Sequence, residues 1–344
     1  AAQAALLDSV AAPVEAPIPK VDRTRPLPLS YAQRRLWFVD RLEGGSAQYN
    51  MPSALRLKGT LDAAALRRAL ECLVHRHEIL RTIYQELDGE PIQVVRPTAE
   101  VIVRDVDLRA CAGAEQDAEL QRLRREEARR TFDLGMDTMI RCTVARLAED
   151  ETAVMLTLHH IASDGWSNAV IGRELVAAYD RLRAGHAPAL PALPVQYADY
   201  AAWQRARLSG DGLQRELDYW RERLTGMPSI HSLPLDHERP AQQDFAGRAH
   251  VVMLSTDDTA AVRAFCERHG VTLFVLMRAV FSLLIARVSR EQDVVIGTPV
   301  AGRVHRDLEG LIGLFVNTLV LRTDLSGNPR FDALLEQCRR DSLE

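Results

Sequence analysis

The chain has 344 residues, of which 47% are hydrophobic and 26% are charged, and its formal net charge is −4 at pH 7. A chain of this length and apolar content can bury the cores of two domains of ordinary size. The slightly acidic balance argues against nucleic acid or an anionic membrane as a partner. The five scattered cysteines include no CxxC pair. They therefore indicate a reducing compartment and argue against a disulfide framework or a zinc site.

The chain begins with an Ala-rich and then Pro-rich stretch over residues 1–26. This composition predicts extended chain of the kind found in linkers. The start lacks the basic leader of a secretory signal, so we expect a cytoplasmic protein. Ser30 and Gln33 have the S-x-x-Q spacing of a capping box, which predicts a helix from that point to about Leu42.

The next part of the chain predicts alternating strands and helices. Residues 54–58 alternate as in a strand, residues 61–75 have helical spacing, and Asp88-Gly89 is typical of a hairpin turn. A charged run, Arg76-His77-Glu78-Ile79-Leu80-Arg81-Thr82, follows the helix. Its cations could complement the dipole of the helix C-terminus, or one arginine could be a buried partner for a distant carboxylate. The pattern leaves both interpretations open.

The most distinctive stretch is Leu158-His159-His160-Ile161-Ala162-Ser163-Asp164-Gly165-Trp166-Ser167. An apolar strand over residues 153–158 delivers two histidines to a turn, and helical spacing over residues 167–183 follows. Alternate residues of a strand face opposite sides, so only one histidine can face a given cavity. That argues against a shared metal ion, as does the lack of nearby Cys or His at ligand spacing. A histidine at this junction can exchange a proton near neutral pH, although many such histidines are structural.

The remaining sequence repeats the alternation of strands and helices, which predicts a second α/β lobe. A Pro-rich stretch over residues 227–247 predicts a loop that crosses between the lobes. The other predicted elements are a helix at 115–130, a strand at 140–147, helices at 197–208 and 213–224, a strand at 249–254, a helix at 257–269, a buried core helix at 272–288 rather than a membrane span, a strand at 293–297, a Gly-punctuated loop at 310–318, a strand at 319–322 and a final helix from residue 331.

Five of these stretches, in this order, resemble the signatures of the condensation domains of nonribosomal peptide synthetases. The third, over residues 159–165, matches the HHxxxDG signature at every fixed position, and five ordered signatures are far more specific than one. The stretches are SYAQRRLW at residues 30–37, RHEILRT at 76–82, HHIASDG at 159–165, YADYAAW at 197–203 and IGLFVNT at 312–318.

The resemblance implies two α/β sandwich lobes of chloramphenicol-acetyltransferase type in a V, with the histidines in a tunnel at their junction. Residues 1–26 would be the linker from an upstream carrier domain and residues 27–226 the N-terminal lobe. Residues 227–247 would be the crossing loop and residues 248–344 the C-terminal lobe. The family's two late signatures, His-Gln-Asp…Pro-Phe-Glu and Arg-Asp…Ser-Arg-Asn-Pro, are absent. We therefore expect the C-terminal lobe to be truncated.

The reaction implied by the resemblance is attack of an acceptor α-amine on a donor thioester, which forms a peptide bond. Both substrates would arrive on the phosphopantetheine arms of peptidyl carrier domains, a donor upstream and an acceptor downstream, beside an adenylation domain. The domain would need no cofactor of its own. Such synthetases make antibiotics or siderophores, and the sequence does not name the amino acids joined.

The same resemblance implies roles for single residues. His160 would orient and deprotonate the amine or stabilise the tetrahedral intermediate, and these alternatives stay open. His159 would be packed and steady the strand. Asp164 would form a structural ion pair with Arg76 or Arg81, and breaking a buried pair of this kind costs about 3–5 kcal/mol.

Three further residues complete the expected site. Gly165 would let the backbone approach the substrate and could place an N–H near an oxyanion. Trp203 and Asn317, in the fourth and fifth signatures, would support the tunnel.

Four alternatives to condensation have different features. An epimerisation domain shares HHxxxDG but typically continues Val-Ser-Trp-Arg, whereas Trp166-Ser167-Asn168 stands here. A cyclising domain carries aspartates in place of the histidines. A non-catalytic module that recruits a partner enzyme usually loses the histidine signature, and a coenzyme A-dependent acyltransferase would not need the carrier-linker-like start.

Overall fold

The computed structural model describes residues 16–111, 113–241, 247 and 249–343. The chain divides into two compact units, and each contains both helices and strands, which confirms the predicted α/β class. The first unit comprises Ala1–Gly212 and Ala301–Asn317, and the second comprises Leu213–Val300 and Thr318–Glu344.

The first unit alternates strands and helices along the chain, with boundaries close to those predicted. Short 3-10 turns at Glu78–Arg81 and His160–Ala162 follow the second helix and the seventh strand. The elements are β1 (Leu27–Pro28), α1 (Tyr31–Glu43), β2 (Asn50–Lys58), α2 (Ala63–Arg76), β3 (Thr82–Leu87), β4 (Glu90–Val95), β5 (Ile102–Asp107), α3 (Ala114–Arg129), β6 (Ile140–Ala148), β7 (Glu151–His159), α4 (Gly165–Arg183) and α5 (Tyr197–Arg207).

The central sheet of this unit has the strand order β2-β7-β6-β5, and a smaller sheet has the order β1-β4-β3. Strand β7 lies between two neighbours, antiparallel to both. Residues on both of its faces are buried, which explains why its sequence is almost continuously apolar. The last residue of β7, His159, is paired in register with Asn50 of β2. The hairpin predicted at Asp88-Gly89 is confirmed, and both residues have positive φ, as a tight two-residue hairpin turn requires.

Four of the five signatures, the first, third, fourth and fifth, meet through buried hydrogen bonds. The predicted capping box is present, because Ser30 and Gln33 exchange hydrogen bonds at the start of α1. The Tyr197 hydroxyl donates to the carbonyl of Leu314 at 2.6 Å and therefore accepts from Ser30 at 2.9 Å. The Gln33 amide also donates to the carbonyl of Ile161 at 3.4 Å. The signatures thus hold α1, α5 and the loop before residue 317 around the end of β7.

The predicted linker is described only from residue 16 onward, and residues 1–15 lie outside the described part of the chain. The described portion packs onto the first unit. Ile18 is buried in the main core. Arg23 forms two hydrogen bonds to the carboxylate of Asp199, at 2.7 and 3.1 Å, and a third to Glu78. Residues 16–26 therefore form a docked strap.

The second unit has fewer strands among its described residues. Its helices Thr256–His269, Leu273–Ser289 and Phe331–Asp341 and its strand Asp293–Val300 surround a core that includes Val275, Leu276, Leu334 and Leu335. Of the predicted crossing loop, residues 242–246 lie outside the described part, and the rest has no regular secondary structure. The elements are α6 (Gly210–Leu224), α7 (Thr256–His269), α8 (Leu273–Ser289), β8 (Asp293–Val300), β9 (Asn317–Asp324) and α9 (Phe331–Asp341), with β8 paired to β9.

The strand predicted at residues 249–254 is wrong. The segment is irregular, and Val251 and Met253 are 76% and 84% exposed. A strand is stable only when a neighbour completes its hydrogen-bond ladder, and the described residues place no strand beside this segment.

The helix predicted at residues 272–288 is present and capped by Thr272, but the expectation of a buried core helix holds for one face only. One face, with Val275 and Ala279, is buried. The opposite face exposes Met277 and Phe281. Apolar residues all round a helix predict burial all round, whereas α7, α9 and β8 cover only one side of α8.

Within the part of the chain that the structure describes, no single helix is both long and apolar enough to span a bilayer. The pair α7 and α8, bent by 101° at their junction, meets the criteria of length and composition jointly.

A substitution at Gly313 tests the packing between the fourth and fifth signatures. A Cβ at this position would lie 2.2 Å from Cδ2 of Tyr197, so Gly313→Ala forces the buried tyrosine to move. We expect the free energy of unfolding to fall by about 1–3 kcal/mol in urea denaturation. Gly310→Ala is the matched control, because its Cβ would meet only Leu193 at 3.8 Å. Equal stability of the two variants would contradict this packing.

Candidate active site

His159 ends β7 with its ring buried. The ring packs edge-on against Tyr49 and Phe132, with centroid distances of 6.3 and 5.7 Å. Its Nδ1 accepts the backbone N–H of Ile161 at 3.1 Å, so in the neutral ring Nε2 carries the proton. Burial lowers the pKa of His159 to about 4, and the nearby charges of His160 and Arg141 act in the same direction. His159 is therefore an uncharged, packed group at neutral pH.

His160 occupies the first position of the turn after β7 and is only partly buried. Its backbone N–H donates to the carbonyl of Tyr49 at 2.8 Å, and its Nδ1 lies 2.7 Å from the carbonyl oxygen of Ser163. A carbonyl can only accept, so Nδ1 carries the proton. The neutral imidazole thus presents the lone pair of Nε2, and this is the arrangement a general base needs.

Asp164 caps α4 and is buried in a dense set of donors. Its carboxylate accepts from the backbone N–H and the hydroxyl of Ser167, at 2.9 and 2.7 Å, and from the N–H of Phe315 at 3.0 Å. Arg303 lies 3.3 Å away, and each side chain of this ion pair is 2% exposed.

The prediction that Arg76 or Arg81 pairs with Asp164 is wrong. Arg76 forms its ion pair with Glu174 of α4 at 3.0 Å, and Arg81 donates to the carbonyl of Arg96. The partner of Asp164 is Arg303, 139 residues further along the chain. Both predicted arginines belong to the second signature. Arg76 ends α2 and Arg81 lies directly before β3, where each has another partner.

Arg303 is the important residue that the sequence analysis missed. It follows Gly302, whose φ is +64° and where a Cβ would lie 2.0 Å from the carbonyl oxygen of Phe315. The guanidinium stacks over the Phe315 ring at 4.0 Å and donates to the carbonyl of Leu311 at 2.9 Å. The available signal was a Gly-Arg pair at residues 302–303, between the strand predicted at 293–297 and the Gly-punctuated loop predicted at 310–318.

The second signature, over residues 76–82, binds the loop that carries Arg303. His77 is buried, and its Nε2 lies 2.8 Å from the carboxylate of Glu174, which also binds Arg76. The Nδ1 of His77 accepts from the backbone N–H of Ile312 at a longer 3.4 Å. The signature thereby joins α2 to α4 and to the loop that carries Arg303.

The backbone at Gly165 borders open space. A Cβ there would meet no atom within 4 Å, and the φ angle is not in the left-handed region. Gly165 and Trp166 are the first residues of α4, so their N–H groups precede the first hydrogen bond within the helix. Trp166 is half-exposed, and its indole N–H donates to the carbonyl of Glu309 at 3.1 Å.

The two remaining predicted site residues, Trp203 and Asn317, lie in other elements. Trp203 of α5 is partly buried, with Arg207 5.3 Å from its ring centroid and Tyr200 at 6.3 Å. Asn317 is exposed and opens β9. Neither residue is among the ring and hydrogen-bond contacts described above for the two histidines.

The arrangement brings together an available imidazole nitrogen, a buried ion pair and the N-terminus of a helix. These groups can bind and orient a nucleophile and take up its proton. Among the described residues, no cluster of three or more His, Cys, Asp and Glu side chains is arranged to hold a metal ion.

Comparison with known proteins identifies the family. A family model of the condensation domain matches residues 24–344, so the chain belongs to the condensation-domain family. A subunit of the linear gramicidin synthase of Brevibacillus parabrevis is 45% identical over 341 residues, which is 99% of this chain and 4% of that protein. The resemblance to nonribosomal peptide synthetase condensation domains is thereby confirmed.

Solved structures support the same fold. The X-domain from teicoplanin biosynthesis superposes with a TM-score of 0.84 at 32% identity, covering 95% of this chain and 72% of that one. The first condensation domain of the CDA synthetase superposes with a TM-score of 0.78 at 23% identity, over 93% of this chain and 76% of that one, and shows likeness of fold. The chain therefore spans a small part of the gramicidin synthase polypeptide and about three quarters of these solved chains.

The Asp164–Arg303 pair can be tested by a double-mutant cycle. Asp164→Ala leaves the Arg303 cation buried without its partner, and we expect the free energy of unfolding to fall by about 3–5 kcal/mol. Adding Arg303→Met to Asp164→Ala should cost less than the sum of the single changes, because neither charge is then stranded. The exposed pair of Arg56 and Glu151 is the control, and Arg56→Ala should cost about 0–1 kcal/mol. Additive single effects at Asp164 and Arg303 would argue against the pair.

The buried neutral ring of His159 predicts a pH dependence of stability. Its folded pKa of about 4 lies below the ordinary value, so the unfolded chain binds more protons as the pH falls toward 4. Stability should therefore rise with pH across the interval from about 4 to about 6.5. In His159→Asn the slope of the free energy of unfolding against pH should be smaller, by an amount that corresponds to at most one bound proton. Urea denaturation at several pH values measures this slope. An unchanged slope would contradict a buried neutral His159.

Proposed function

We propose that this chain forms a peptide bond by bringing the α-amine of an acceptor aminoacyl thioester to the carbonyl of a donor aminoacyl or peptidyl thioester. The products are an amide and the free thiol of the donor carrier. His160 is the side chain that orients and deprotonates the amine or stabilises the tetrahedral intermediate.

The observation that carries this proposal is the tautomer of His160. The hydrogen bond from Nδ1 to the Ser163 carbonyl holds the ring and leaves the Nε2 lone pair for a substrate proton. A free α-amine has a pKa of about 7.7–8.0, so part of it is already neutral and a general base gives moderate help. Holding the two reactants in place can supply up to about 7–11 kcal/mol.

The family supports the choice of substrates. The matched relative belongs to a gramicidin synthase, and this chain corresponds to one small part of it. We infer that the substrates are carried on phosphopantetheine arms of upstream and downstream peptidyl carrier domains, with an adenylation domain nearby. We infer that the domain needs no cofactor of its own.

A second candidate is a recruitment module without catalysis. The X-domain relative is 32% identical and has also been solved in a complex with OxyB from teicoplanin biosynthesis. The complete HHxxxDG signature favours catalysis here, because a recruiting surface requires neither an oriented His160 nor a buried Asp164. Epimerisation of the donor α-carbon is the third outcome that an assay must separate.

A reconstituted assay distinguishes these functions. One carrier is loaded with an isotope-labelled aminoacyl thioester and a second with an unlabelled aminoacyl thioester, and the mass of each is followed in deuterated buffer. Growth of the acceptor by the donor mass supports condensation. Deuterium uptake at the donor α-carbon without growth indicates epimerisation. Neither change, with carrier binding retained, would overturn the proposal in favour of recruitment.

His160→Ala should reduce single-turnover amide formation by about 10²–10⁴-fold if the ring transfers the proton, and the fold should persist because the ring is only partly buried. His186→Ala in the same unit is the control, since His186 is exposed beyond the end of α4. Near wild-type turnover by a folded His160→Ala protein would rule out an essential role for this side chain.

A further inference from the structure

Arg141 lies on β6, is 3% exposed and is surrounded by the C-terminal end of α3. Its guanidinium donates to the Glu127 carboxylate at 3.0 Å, to the Glu127 carbonyl at 2.8 Å and to the Arg130 carbonyl. The Glu127 carboxylate also accepts from the Thr143 hydroxyl at 2.7 Å. Arg141 thus satisfies carbonyls that the last turn of a helix leaves without partners.

The same guanidinium supports one wall around His159. Its central carbon lies 4.1 Å from the centroid of the Phe132 ring, and that ring packs edge-on against His159. A guanidinium over an aromatic face is attractive and planar, so it restricts how the ring can tilt. Displacement of Arg141 would therefore free Phe132 and with it the imidazole of His159.

A second neighbour of His159 is anchored to the same helix end. The side-chain amide of Asn50, the strand partner of His159, donates to the carbonyls of Ala128 and Arg130 at 2.8 and 2.9 Å. The carbonyl of Tyr49, one residue earlier, accepts the backbone N–H of His160. The end of α3 therefore holds two neighbours of His159: Asn50 directly and Phe132 through Arg141.

We propose that Arg141 is a positioning residue for the candidate site: by fixing Phe132 and the end of α3 around His159, it holds the backbone that aims His160. Arg141 acts through His159, Phe132 and Asn50, and it contacts no reacting atom. The kinetic part of this inference rests on the proposed function, whereas the structural part does not.

The charges around His159 support this role. His159 is flanked by the Arg141 cation and by His160, and both lower its pKa in addition to burial. Glu127 and Asp137 partly offset the charge of Arg141, whereas Arg130 is a second cation nearby. A cationic His159 would oppose protonation of the adjacent His160. Arg141 thus helps keep His159 uncharged while His160 takes up a proton.

The test compares Arg141→Gln with Arg141→Lys in the whole chain. Arg141→Gln removes the charge, and we expect a loss of single-turnover amide formation of about 10- to 100-fold. In the same variant the His159 ring, followed by NMR, should titrate closer to the ordinary value of about 6.5. Arg141→Lys keeps the charge but loses the fork of hydrogen bonds, so turnover should fall while the His159 titration stays low.

Two further variants complete the test. Arg56→Gln removes an exposed arginine of β2 and should change neither turnover nor titration. The double variant Glu127→Gln/Arg141→Gln removes both buried charges together. It is used instead of the single variant Arg141→Gln if the unpaired Glu127 carboxylate prevents that variant from folding. A folded charge-free variant with wild-type turnover and wild-type His159 titration would overturn the proposal.

The outcomes also separate this inference from the proposed function. If the wild-type chain forms no amide, the proposed function fails. The His159 titration in the Arg141 variants still decides whether Arg141 fixes that ring, because it requires no substrate.

Discussion

Two opposite charges, Asp164 and Arg303, lie buried against each other, and the candidate site depends on their being paired. Removing two ions from water costs several kcal/mol each, and attraction alone rarely offsets this. Here the carboxylate also accepts from Ser167 and from the N–H of Phe315, and the guanidinium donates to loop carbonyls and stacks on the Phe315 ring. The pair is thus a small network in which every partner belongs either to the start of α4 or to the loop over residues 301–317.

The two histidines divide their work because a strand ends between them. His159, still in β7, is held among aromatic rings and stays uncharged. His160 has left the sheet, and its ring is fixed by a single carbonyl on Nδ1. Because the packed His159 directly precedes His160, the buried strand fixes the direction of the His160 ring while the sheet itself stays covered. Asp164 and Gly165 then turn the chain into α4, whose cap is the same carboxylate that binds Arg303.

Local signals predicted much of this arrangement. The capping box of Ser30, the hairpin at Asp88-Gly89 and the apolar strand before His159 were readable because the responsible residues lie within a few positions of each other. The Arg303 pairing was not, because its two residues are 139 positions apart and several arginines could have served. The wrong strand at residues 249–254 and the one-sided burial of α8 have a shared cause. An apolar pattern shows which side chains favour burial, but it does not show whether a neighbour is present to cover them.

The loop over residues 301–317 belongs to the first unit, although it lies between two strands of the second. During synthesis the ribosome must therefore add a further 139 residues after Asp164 before Arg303 exists. At about 5–20 residues per second, this interval lasts roughly 7–30 s. Throughout this interval the Asp164 carboxylate has no Arg303 to bind. The site is consequently completed late in the synthesis of the chain, at a time set by the speed of translation as well as by folding.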